Sequence, residues 1–149
     1  MLKWLKDNAE KAHASLSAEV SKFKNRSFME AVVSGCALVA AADGNISSDE
    51  KQKMAGFIQR AEELKHFKMS DVIEVFNKAA ADFEFDHEIG KASALQVIAK
   101  IKGKEGQDRL LIRVVCAIGA ADGDFDKDER AMVAVICNEL GLNPDDFDL

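Results

Sequence analysis

Two stretches of this chain place carboxylates at spacings that could hold a cation. Ala41-Ala42-Asp43-Gly44-Asn45-Ile46-Ser47-Ser48-Asp49-Glu50 returns as Ala120-Ala121-Asp122-Gly123-Asp124-Phe125-Asp126-Lys127-Asp128-Glu129, an offset of 79 residues (43 to 122). The second copy is the denser: Asp122, Asp124, Asp126, Asp128 and Glu129 stand against Lys127 alone. Carboxylates this crowded repel one another unless a cation, a basic partner or screening solvent intervenes. Hard divalent cations, Ca²⁺ or Mg²⁺ ahead of Zn²⁺, take such all-oxygen sets. The candidate metal ligands are therefore Asp43, Asp49 and Glu50 in the first copy and Asp122, Asp124, Asp126, Asp128 and Glu129 in the second. The second site should be the stronger, since it has more ligands.

The pattern is not an EF-hand. Asp122, Asp124 and Asp126 match the first three ligand positions of that loop, but its glycine position is Lys127 and its closing glutamate is Val133. Much of each copy also serves to join two helices. Gly44 or Gly123 supplies a left-handed residue at a helix end. Ile46 or Phe125 is an apolar plug for the core. Ser47 and Glu50, like Asp126 and Glu129, have capping-box spacing, and acids suit the first turn of the helix that follows. Capping needs one or two carboxylates per turn, and the excess in the second copy is left over.

The elements that position these turns are helical. Apolar residues recur with helical period over about 2–22, 28–42, 48–64, 71–82, 87–102, 106–121 and 127–140. The expected fold is an all-α, single-domain bundle of about seven helices over residues 1–149, with repeat copies at about 28–64 and 106–140 and a loosely packed N-terminal helix. Ser27 and Glu30 are spaced as a capping box, Ser70 can cap the helix after it, Gly141 suits a helix end, and Asn143-Pro144 reads as a cap followed by Pro.

Composition narrows the function. A net charge of −6 disfavours nucleic acid, whose phosphates need clustered Lys and Arg. Residues 1–30 depart from this balance, with six basic and four acidic side chains. No apolar run is long enough to span a bilayer, and no signal core opens the chain, so a cytoplasmic protein is expected. Cys36, Cys116 and Cys137 form no Cys-x-x-Cys and sit among apolar helical residues, as reduced core thiols do.

The duplicated Ala-Asp-Gly turns resemble those of the TerB tellurite-resistance family. So do Phe23-Lys24-Asn25, Glu50-Lys51-Gln52-Lys53-Met54, Glu62-Glu63-Leu64-Lys65, Phe83–Lys91 and Leu140-Gly141-Leu142. The resemblance covers nearly the whole chain. It implies an all-helical fold with a pseudo-two-fold relation between halves. It implies a part in tellurite resistance, divalent-cation binding at the acidic turns, and association with other Ter-operon proteins, including the membrane protein TerC. Asp43, Glu50, Asp122 and Glu129 carry over within the shared motif. Asp49 and Asp128 match between copies, and Asp86 and Glu88 lie in the matching Phe83–Lys91 stretch. A place at the inner face of the cytoplasmic membrane follows, through a partner or through the N-terminal helix.

Other chemistry has less behind it. Each histidine follows a glutamate by three residues (Glu10/His13, Glu63/His66, Glu84/His87), a spacing shared with carboxylate-bridged di-iron centres but placed at helix ends. The first helix pairs Leu2, Trp4 and Leu5 with Lys3, Lys6 and Lys11, which could touch an anionic membrane, although ordinary packing of that helix is the simpler reading. No Gly-rich phosphate loop, nucleophile elbow or His-Glu-x-x-His occurs. The expected protein is a non-enzymatic interaction module. The competing class is a carboxylate- or metal-dependent enzyme, for which both acidic clusters should face one pocket.

Overall fold

The computed structural model describes residues 2–121, 123 and 125–149. Among these there are eight α-helices and no strand: α1 Leu2–Asp7, α2 Ala9–Val20, α3 Arg26–Ala40, α4 Ser48–Arg60, α5 Met69–Phe85, α6 His87–Ala99, α7 Gln107–Gly119 and α8 Lys127–Leu140. Two short 3₁₀ turns, Glu62–Leu64 and Pro144–Phe147, complete the chain. The all-α, single-domain expectation holds.

Helix α3 is the axis. From Phe28 to Ala40 every residue except Glu30 is buried, as the all-round apolar pattern of that run requires. Helices α4, α5, α6, α7 and α8 all pack against it. Its approach to α7 is close: a Cβ at Gly35 would lie 2.7 Å from a Val115 methyl. Small residues on α3 therefore set the spacing of the two helices that lead into the acidic turns.

Four local details differ from the sequence reading, each for a local reason. The first helix breaks at Asn8, whose side chain donates to the Trp4 carbonyl and competes with the helix for that acceptor. Asn25, not Ser27, caps α3: its side chain accepts from the Phe28 N–H at 2.8 Å, which leaves Ser27 inside the first turn. Ser70 lies inside α5, which starts at Met69 behind Lys68 with no side-chain cap. Helix α4 stops at Arg60, because Ala61 is extended, and a 3₁₀ turn follows. Gly141 in the left-handed region and the Asn143 cap before Pro144 are as expected.

Candidate functional site: two acidic turns on one cavity

The described residues of the two duplicated turns share a left-handed glycine. Gly44 has φ 106° and Gly123 φ 83°, so each turn crosses the left-handed region where a Cβ is costly. Ile46 is buried, and Phe125 packs on the core against Gly119, where an added Cβ would sit 3.0 Å from the ring.

Each following helix opens with a complete capping box. Ser47 Oγ accepts from Glu50 N at 3.1 Å while Glu50 Oε1 accepts from Ser47 N at 3.1 Å. Asp126 Oδ1 accepts from Glu129 N at 2.8 Å while Glu129 Oε1 accepts from Asp126 N at 3.2 Å. Asp43 Oδ1 accepts from Asn45 N at 3.3 Å. The caps thus fix one oxygen on each of four carboxylates (Asp43, Glu50, Asp126, Glu129) and orient the other.

The tertiary fold brings the two turns together. A cavity of about 190 Å³ is lined by Asp43 and Glu50 from the first copy and by Asp126, Asp128 and Glu129 from the second. Lys53 is the one basic side chain among the described lining residues, and Val39, Met54, Phe57 and Gly119 form the apolar part of the wall. The Lys53 ammonium lies 5.8 Å from the Phe57 ring centroid.

Asp43, Asp126 and Asp128 are exposed, and Glu50 and Glu129 are half-buried. Glu50, Asp128 and Glu129 also sit in first helical turns, where the N-terminal dipole favours negative charge. The arrangement is an anionic concavity with charges held from both sides.

Of the sequence-predicted ligands, five converge. Asp49 is exposed in the first turn of α4 and does not line the cavity. Asp122 and Asp124 lie outside the described residues. Asp86 caps α6 by accepting from Ile89 N at 3.0 Å, and Glu88 is exposed beside it. Among the described residues no three His, Cys, Asp or Glu side chains are gathered as a direct metal-ligand set.

The Glu-x-x-His spacings do not build a metal centre. His13 pairs instead with Glu63, Nδ1 to Oε2 at 2.9 Å, and Glu63 is fully buried. Burial pushes the Glu63 carboxyl above its usual range, and the His13 hydrogen bond pulls in the opposite direction. His66 Nε2 lies 2.9 Å from both Ser17 Oγ and the Ser17 carbonyl. Glu84 pairs with Lys51 at 3.2 Å, while the His87 ring lies tilted against Phe83 with centroids 5.6 Å apart. Sequence reading missed the cross-pairing of α2 with the 3₁₀ turn; the only trace was the recurrence of Glu and His on both segments.

The three thiols are buried and unpaired. Burial raises all three, Cys36 with help from the nearby Glu63 charge, and Cys137 is pushed up to about 11. Such thiols are poor nucleophiles at neutral pH. No described helix is long and apolar enough to cross a membrane.

A family model described as "Tellurite resistance protein TerB" matches residues 29–149. A tellurium resistance protein TerB from an Alcaligenes species is 43% identical over 99 residues, 66% of this chain and 81% of the relative. No solved structure matches the chain.

Proposed function

This chain belongs to the TerB tellurite-resistance family, and from that premise we propose that its two acidic turns form one shared divalent-cation site. The observation that carries this reading is the single cavity onto which Asp43, Glu50, Asp126, Asp128 and Glu129 converge. Four of these carboxylates hold a backbone N–H with one oxygen, so they are pre-oriented before any ion arrives. The donors are all carboxylate oxygens, a set that favours Mg²⁺ or Ca²⁺ over Zn²⁺. The protein acts without catalysis: the acidic opening, with or without its ion, is presented to a basic surface on other Ter proteins, TerC among them, at the inner face of the cytoplasmic membrane.

A shared cavity is also what a carboxylate- or metal-dependent enzyme would have, and that is the second reading. At about 190 Å³ the cavity falls below the roughly 300–1,000 Å³ of ordinary ligand pockets, which suits a hydrated ion better than an organic substrate.

The test is a calorimetric and NMR titration with Ca²⁺, Mg²⁺, Mn²⁺ and Zn²⁺ on the native chain, Asp43→Asn and Asp126→Asn. One shared site gives one ion per chain, and either substitution weakens it. Two ions per chain with independent losses would mean two separate sites. No response at millimolar metal would leave partner binding alone.

A further inference from the structure

A second cavity, of about 470 Å³, lies on the other side of the second Asp-Gly turn, between α1–α2 and the junction of α7 with α8. Its described lining is basic, and the lining glycine, Gly123, stands between Asp122 and Asp124, which lie outside the described residues. Lys3, Lys6, His13 and Arg130 line it, and none of its described lining residues is acidic, in a chain of net charge −6. The nearest carboxylates of α1 and the C-terminus, Asp7 and Asp148, line the adjoining outer surface with Lys3, Trp4 and Arg130. Arg130 gives one N–H to the Asp148 carbonyl at 2.8 Å.

His13 is the built element. Fully buried Glu63 holds its Nδ1 at 2.9 Å, and no described residue bonds Nε2, which is not among the buried unpartnered atoms. An inward carboxylate that costs desolvation, used to aim one ring nitrogen, is the arrangement by which proteins position a working imidazole. Leu5, Ala117 and Phe125 are among its apolar lining residues.

We propose that this cavity binds a phosphate group carried on a small organic or lipid body, with Lys3, Lys6, Arg130 and the Nε2 face of His13 around the phosphate. A phosphate monoester carries about −1.5 to −2 charges at neutral pH and offers three acceptor oxygens, which suits several converging donors better than a carboxylate does. The volume exceeds a phosphate alone, and the apolar lining takes the attached body. Trp4, 46% exposed on the same helix as Lys3 and Lys6, lies where an aromatic ring would meet a membrane interface if the phosphate is a lipid's.

Two arms separate the sources. In the first, inorganic phosphate is titrated into the full chain while backbone and imidazole NMR signals are followed. In the second, the chain is sedimented with phosphatidic acid vesicles, whose headgroup is a phosphate monoester, and with phosphatidylcholine vesicles. Each is repeated on Lys3→Gln/Lys6→Gln and on Lys11→Gln, a control whose lysine does not line the cavity.

Saturable shifts centred on His13, weakened about tenfold by the double substitution and unchanged by Lys11→Gln, support the site with the phosphate of a soluble compound as ligand. Sedimentation with phosphatidic acid alone, lost on the double substitution and kept by the control, supports it with a lipid as ligand. Equal effects of both variants, or no binding in either arm, overturn it. Divalent cations are absent throughout, so neither result bears on the acidic cavity.

Discussion

The Glu63 carboxylate and the His13 imidazole meet at 2.9 Å across fifty residues of chain, with the acid fully buried and the base partly open to solvent. This contact, with the His66–Ser17 pair one turn away, ties α2 to the segment that follows α4. Replacing His13 by Ala leaves Glu63 buried without its partner. The expected cost is about 3 kcal/mol, the range for breaking a buried pair from one side, read by urea unfolding at neutral pH.

Glu63 also sets a pH dependence. Its carboxyl titrates above the ordinary value of 4.5 in the folded chain, chiefly through burial. A raised acid binds its proton more tightly folded than unfolded, so its stabilising share is complete below the unfolded value. That share is lost as pH rises through the folded value. Unfolding free energies measured from pH 4 to 7 should carry this falling component in the native chain and lack it in Glu63→Gln.

The capping boxes and the acidic cavity share residues but are separable by chemistry. Ser47→Ala removes a cap and should cost about 1 kcal/mol with little change in cation affinity. Asp126→Asn keeps a capping oxygen and removes a charge, so melting should barely move while cation binding weakens. The opposite pattern, with Asp126→Asn losing only stability, would reduce the acids to caps. Thermal melts paired with calorimetry distinguish the cases.

Gly35→Ala pushes a Cβ to 2.7 Å from the Val115 side chain, in a core where a β-branched neighbour cannot turn aside. A loss of about 1–3 kcal/mol is expected. Because α3 and α7 both lead into the acidic turns, the same variant should also weaken cation binding. A stability loss with unchanged affinity would show that their spacing does not shape the cavity.

Cys36, Cys116 and Cys137 should resist a disulfide reagent in the folded chain and react together once it unfolds, since all three are buried with raised thiols. Rapid labelling of one of them at neutral pH would contradict this.

The parts of this fold written in short-range code were readable from sequence. Gly44 and Gly123, the two capping boxes and the Gly141 helix end depend on neighbours within a few residues. Helix α3 was readable because its apolar run leaves no polar face. The pairing of His13 with Glu63 was not, because α4 stops at Arg60 without a Gly or Pro to mark it, and only that stop turns Glu63 inward. Nor was the placing of Asp43 and Asp126 on one cavity. It depends on how closely α3 and α7 approach, at which Gly35 and Gly119 hint. The exposed position of Asp49 beside the half-buried Glu50 likewise follows from the helix's rotation relative to a partner the sequence does not name.

The acidic cavity takes one wall from the α3–α4 hairpin and the other from the α7–α8 hairpin. Neither hairpin alone contains a receptor. An ion held there would act as a removable staple between distant parts of the chain, and its binding energy would be counted in the stability of the whole. A fragment carrying one turn should therefore be deaf to the metal, and the intact protein should melt later in its presence. Occupancy would then report that folding is complete.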